Sequence, residues 1–187
     1  MRKNFWSIDI RRSYEFDFEG QSNNLEIQYC ITHTYTFQTD EGYRYVLLVD
    51  IFDDINLFGL KFHKAEDFES KYKYNVLTNH KNPLRFFATI LCILKEIVKQ
   101  FPQYSLIFIC EPTIKEIEDA QKINKNAYQN TKRFRFYKKL LGEMINSNSY
   151  EYKENEMKSI ILLVNKEVVQ ENFDEIENYL KTYGFHL

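Results

Sequence analysis

The reading of this chain turns on residues 82–145: NPLRFFATILCILKEIVKQF (82–101), YSLIFIC (104–110) and, after a polar linker, TKRFRFYKKLLGEMI (131–145). Asn82 is a favourable N-cap and Pro83 is preset for the first helical position, so a helix starts there. Leu84, Phe86, Phe87, Ala88, Ile90, Leu91, Cys92, Ile93, Leu94, Ile97 and Val98 follow, with a polar patch confined to Lys95, Glu96, Lys99 and Gln100. A helix this apolar must be covered on several sides. Phe101-Pro102 ends it. Ser105 to Cys110, bounded by Glu111-Pro112, reads as a short buried strand. From Thr131 a second helix begins, with Phe134, Tyr137, Leu141, Met144 and Ile145 on one face and Leu140 beside them. Helices packed on a sheet are the architecture this pattern predicts.

Working back towards the N-terminus, residues 1–12 alternate weakly and suit a leading strand or turn. Tyr14, Phe16 and Phe18 alternate with Glu15, Asp17 and Glu19, which predicts a half-buried strand ending at Gly20. The polar QSNN that follows is expected to turn. Leu25 to Phe37 then reads as a long strand and Tyr43 to Phe52 as a second, joined by a hairpin turn at Thr39-Asp40-Glu41-Gly42. Residues 55–82 are ambiguous: a short helix and a strand near Tyr72–Leu77 fit their aromatic spacing.

Towards the C-terminus, Thr113 to Asn124 suits a marginal helix with Ile114, Ile117 and Gln121 on one side. Asn146 to Asn155 reads as a polar connection, and Met157 with Ser159 to Val164 as a last buried strand. Asn172 and Glu175 suit a capping box ahead of Phe173, Ile176, Tyr179 and Leu180, with Gly184 closing the helix. The expectation is a single α+β domain over residues 1–187 with a mixed, mainly antiparallel sheet. Its parts are N-terminal antiparallel strands over 14–54, a helix–strand–helix–strand core over 82–165 and a C-terminal helix over 172–183.

Composition narrows the function classes. In 187 residues, 44% are hydrophobic, with 16 Phe and 14 Tyr, which supplies a large ring-rich core. Five glycines and neither GxGxxG nor GxxxxGK make dinucleotide and P-loop chemistry poor fits. Cys30, Cys92 and Cys110 are widely spaced in apolar runs, as buried thiols in a reducing compartment are. The N-terminal MRKNFWSIDIRRSYEF lacks the apolar stretch of a signal peptide, and no run approaches a membrane span, so a cytoplasmic location is expected. Net charge is only −2, but Ala120 to Gly142 holds seven basic residues and no acidic one, which leaves −9 on the remainder.

That basic segment is the main candidate site. Lys132, Arg133, Arg135, Lys138 and Lys139 cluster near a helix start, where backbone N–H groups also favour anions. They suit an anionic ligand or protein partner. They equally suit a solvated face whose long stems cover apolar surface. Aromatic residues interleaved with basic ones also resemble a stacking groove for nucleic acid, although the periodicity of Phe134 and Tyr137 assigns both to the core. Asp50, Asp53 and Asp54 can bind a divalent cation or simply end a strand in a turn. The histidines are dispersed, so no metal site is expected. Glu111, just after the buried strand, and Tyr137 are the candidate acid–base groups.

An antiparallel hairpin, a central helix, a buried strand and a helix carrying Phe136-Tyr137-Lys138-Lys139-Leu140-Leu141-Gly142 together resemble the acetyl-coenzyme-A-dependent N-acetyltransferase superfamily. The resemblance implies an N-acetyltransferase-like sheet, acetyl-CoA as cofactor, an amine as acceptor, and Tyr137 protonating the leaving thiolate with Glu111 as base. The family's glycine-containing pyrophosphate loop should lie near residues 78–85, where this chain has Thr78-Asn79-His80-Lys81-Asn82-Pro83-Leu84-Arg85. Arg133, Arg135, Phe136 and Tyr137 also carry a resemblance, over roughly residues 14–165, to a group of small bacterial proteins with no assigned chemistry. The expectation is therefore a non-catalytic, acyltransferase-like interaction domain without a cofactor. An active N-acetyltransferase and a nucleic-acid-binding protein are the alternatives.

Overall fold

A computed structural model describes residues 12–23, 30–76, 81–144, 149–167 and 170–182. Expectations for residues 1–11, Leu25 to Tyr29, Leu77, Ile145 and Gly184 lie outside these. The described chain is α+β, with seven strands and four α-helices. In chain order these are β1 (Phe16–Asn23), β2 (Cys30–Gln38), β3 (Arg44–Phe52), β4 (Leu57–Lys64), α1 (Pro83–Gln100), β5 (Ser105–Ile109), α2 (Ile114–Lys122), α3 (Lys132–Met144), β6 (Tyr150–Asn155), β7 (Ile160–Asn165) and α4 (Gln170–Thr182). They fall into two compact units, one holding β1–β3, nearly all of β4, and α1, the other holding β5–β7 and α2–α4.

In the first unit the strands lie in the order β1-β2-β3-β4. β2 and β3 pair antiparallel in unbroken register from Cys30 opposite Phe52 to Gln38 opposite Arg44. Their turn closes through Gly42, whose φ of 85° suits glycine and whose N–H donates to Thr39 O at 2.9 Å. β1 does not stop at Gly20. It runs on to Asn23, so Gln21, Ser22 and Asn23 are strand rather than turn. The register against β2 slips between Phe18 and Gly20, and Gly20 takes φ 133° there. This is a β-bulge, which lets Glu19 reach both Thr36 Oγ1 (2.6 Å) and Arg44 (2.9 Å).

α1 begins as its caps dictate: Asn82 Oδ1 accepts the Arg85 N–H at 3.2 Å, and Pro83 opens the first turn. Phe86, Phe87, Ala88, Thr89, Ile90, Leu91, Ile93, Leu94 and Ile97 are all buried. The Phe86 ring lies 5.2 Å from Phe37 of β2, 4.9 Å from Tyr45 of β3 and 5.2 Å from Phe62 of β4. Thr89 Oγ1 donates to Arg85 O and accepts the Tyr14 N–H at 2.8 Å, fastening the chain just before β1 to the helix. The strand expected near Tyr72–Leu77 is instead β4, at Leu57–Lys64. A 3-10 turn follows at Ala65–Asp67, and residues 71–75 form turns.

In the second unit the strand order is β5-β7-β6, both pairings antiparallel. The segment expected as a polar connection up to Asn155 contains β6, paired from Tyr150 opposite Asn165 to Asn155 opposite Ile160. Its partner β7 is buried along its whole length, so pairing overrides the polarity of YEYKEN. Met157 is not part of β7: it sits in the β6–β7 turn, 55% exposed. α2 ends at Lys122 and buries Ala120, while Ile114 is 38% exposed, so the side expected to pack is not the one that does. α4 starts at Gln170, which places Asn172 inside the helix instead of at its cap. Ile176 is its fully buried residue among those described.

Asp50, the charge that interrupts β3, is buried, and its cost is met locally. Thr32 Oγ1, directly across on β2, donates to Oδ1 at 2.6 Å, and the Lys61 ammonium of β4 lies 2.8 Å from Oδ2. Asp53 and Asp54 are exposed in the following turn, and among the described residues the three carboxylates form no group placed to hold a metal ion. Lys61→Met leaves the carboxylate buried and unpaired, so a loss of about 2–3 kcal/mol is expected, because the ammonium is half exposed and Thr32 still donates. Thr32→Val should cost about 1–2 kcal/mol. Urea unfolding with an unchanged m-value checks both.

Candidate anion-binding surface

The five basic residues of α3 do not act as one cluster. Helix geometry at 100° per residue puts Lys132, Arg135, Phe136 and Lys139 within an arc of about 100°, and all four are exposed. Phe134, Tyr137 and Leu141 occupy the opposite side and are buried. Lys138 leans away from the exposed arc and pairs with Glu154 of β6, an attachment that Tyr152 Oη reinforces by donating to the other carboxylate oxygen at 2.7 Å. Hydrogen bonding to Glu154 raises the Lys138 pKa. Arg133 is half-buried, and its charge opposes the upward shifts of the Cys110 thiol and the Tyr137 phenol. The outward cations are therefore Lys132, Arg135 and Lys139. The Arg135 guanidinium donates one N–H to Asn130 O, which anchors it at the helix start. Asn130 itself has φ 50°, a left-handed residue that turns the chain into α3.

The first turn of α3 already has acceptors. Thr131 Oγ1 takes the Phe134 N–H at 3.1 Å and donates to Cys110 O at 2.8 Å, and Thr131 O takes the Arg135 N–H. Glu116 Oε1 accepts the Lys132 N–H at 2.7 Å. The same carboxylate closes the capping box of α2, its Oε2 accepting both the Thr113 N–H and the Thr113 hydroxyl at 2.8 Å. One side chain thus caps two helices. Burial pushes the Glu116 pKa up, but the Thr113 and Lys132 donors and the Lys132 charge outweigh it and hold it below the ordinary range. The Lys132 N–H, one of the helix-terminal donors expected to face a phosphate, faces Glu116 instead. The Thr113-x-x-Glu116 spacing is a capping signature visible in the sequence, and it was missed there.

Of the candidate acid and base, Tyr137 lies on the buried side of α3. Its ring is 6.0 Å from Phe108 of β5 and 5.8 Å from Phe136. Burial pushes its phenol well up, so it stays protonated. Glu111 is half-buried after β5, its N–H donating to Ile109 O at 3.2 Å, and its charge raises the Tyr128 phenol. Phe136 is the residue that periodicity passed over: it is 38% exposed between the outward cations.

Among the described residues, the start of α1 offers little to a pyrophosphate. Thr78 to His80 lie outside the described residues. At the start of α1, Pro83 has no N–H, the Arg85 N–H is taken by Asn82, and the Arg85 guanidinium grips Asp40 at 2.8 and 2.9 Å. Among the described residues no group of three or more His, Cys, Asp or Glu is placed to hold a metal ion, and no helix is long and apolar enough to cross a membrane.

Glu116→Gln should cost about 2 kcal/mol at neutral pH, because charge-assisted bonds to two helix starts are weakened. The folded pKa lies below the unfolded one, so this stabilisation is complete above the ordinary glutamate value of 4.5 and is lost as pH falls through the folded value. The stability gap between wild type and Glu116→Gln should therefore narrow as pH drops below that value, measured by urea unfolding across an acid series. Comparison of the chain with protein-family models, curated proteins and solved structures returns no match.

Proposed function

We propose that this chain is a non-catalytic, acyltransferase-like binding domain that engages an anionic partner through the outward face of α3. The observation that carries the reading is the exposed arc of Lys132, Arg135, Phe136 and Lys139, set against a helix whose other cations are turned aside. Three like charges within three turns of one helix repel one another, and an anion that relieves the repulsion gains from all three at once. The segment from Ala120 to Gly142 holds seven basic residues and no acidic one, although Lys122 and Lys138 pair with Asp119 and Glu154 from outside it.

The acyltransferase-like part of the proposal rests on the succession of elements: antiparallel strands, a long apolar helix, a buried strand, then a helix carrying Tyr137. The non-catalytic part rests on the start of α1, where proline, the Asn82 cap and the Arg85–Asp40 pair leave little for a pyrophosphate. Enzymatic N-acetyl transfer would ask Tyr137 for a proton. Its phenol is protonated, but its ring is enclosed beside Phe108, on the side of α3 away from the exposed arc.

Two measurements test the two halves. Calorimetric titration with acetyl-CoA is expected to give no binding at micromolar concentrations, and a micromolar dissociation constant overturns the non-catalytic reading. Retention on a heparin column should require distinctly more salt for wild type than for the Lys132→Gln, Arg135→Gln, Lys139→Gln triple variant. Identical elution of the two proteins removes the assignment of the anionic surface to α3.

A further inference from the structure

From the placement of Phe136 we infer that the anionic partner of α3 is an unpaired nucleic-acid strand, which the exposed ring stacks against while Lys132, Arg135 and Lys139 hold its phosphates. The inference rests on the anionic-surface reading above and deepens it.

A surface that only needs to attract acidic groups gains nothing from a large ring among its cations. Single exposed apolar side chains are common on protein surfaces, so this ring counts only through its place among cations. Here Phe136 is 38% exposed and sits four residues after Lys132 and three before Lys139, the neighbouring positions on a helix surface. Phe134 and Tyr137, the other rings of the segment, are buried and have no part in this. Flat apolar area flanked by cations is the chemistry of base stacking beside a phosphate chain, and it is indifferent to sequence because every base has a π-face.

Lys132, Arg135 and Lys139 follow one another along the helix with backbone rises of about 4.5 and 6 Å, so they present a row of cations to a phosphate chain. A duplex keeps its bases stacked on one another and offers no open π-face to Phe136 except at its ends, so paired strands should bind less well. An acidic peptide can satisfy the three cations but makes no use of a flat ring.

The test uses fluorescence anisotropy with the full chain and three labelled probes: a single-stranded 12-mer of deoxythymidine, a 12-base-pair duplex, and a poly-glutamate peptide of equal charge. The single strand is expected to bind most tightly. The Lys132→Gln, Arg135→Gln, Lys139→Gln triple variant should lower the salt slope of that binding by about 2, from the loss of three phosphate contacts. Phe136→Leu keeps apolar bulk and removes the ring, and should weaken single-strand binding on the order of 10-fold, whereas Phe136→Trp should restore it. Circular dichroism confirms that each variant is folded. Single-strand binding that ignores Phe136→Leu overturns the stacking inference. Preference for the peptide or the duplex also overturns it, while sensitivity of that binding to the triple variant leaves the anionic-surface reading standing. Binding of every probe unchanged in the triple variant, or of none, removes both.

Discussion

Covering α1 is the constraint on which the first unit depends. The helix presents nine buried side chains in about five turns, and no arrangement of a free helix hides them. The solution is visible at Phe86. One ring touches Phe37, Tyr45 and Phe62, each from a different strand, so the helix sets the relative position of β2, β3 and β4 through a single side chain. Edge-to-face geometry at all three contacts gives this packing direction as well as area. Phe37 in turn stacks on Tyr14, whose backbone is held by Thr89, so the same ring cluster reaches the segment that leads into β1.

Elements whose signal was local were legible in the chain. α1 announces itself with a cap, a proline and an unbroken apolar run, and β5 and β7 are short apolar strands of the sort that only burial stabilises. β4 and β6 were hidden because their identity lies in what they pair with. YEYKEN alternates tyrosine with charge and would be a loop but for the wholly buried β7 beside it, and LFGLKFHK carries a glycine and two basic residues in eight. Asn172 with Glu175 offered a plausible cap, yet the helix begins at Gln170 and passes through it. Of the candidate surface, the basic residues were plain, but their separation into outward and tied cations was not. That separation depends largely on Glu154, a carboxylate distant in sequence from the Lys138 it engages.

α3 has two jobs that sequence spacing keeps apart. Its buried side joins Phe134, Tyr137 and Leu141 to the interior, and its rim is fixed at two points, Lys138 to Glu154 and the Lys132 N–H to Glu116. The remaining arc is left to solvent on a helix that cannot easily roll. Rigid presentation of a few side chains loses less entropy on contact than a mobile loop would. Glu154 engages Lys138 off the arc, while Glu116 lies at Lys132 and offsets that cation, so the helix is immobilised with Arg135 and Lys139 left to carry the outward charge.

The bulge at Gly20 matters beyond the hydrogen bonds it allows. Among the described residues β1 is the outermost strand of its unit, and it carries Phe18 at 54% exposure. A straight strand with such a ring would offer neighbouring molecules a ready template for lateral growth. The slipped register and the φ of 133°, which only glycine adopts without strain, twist the strand and break its row of donors and acceptors near the middle. A side chain added at Gly20 would meet no neighbouring atom within 4 Å, so the constraint there is backbone shape and not room. The residue that makes the edge irregular thereby guards the molecule against ordered self-association.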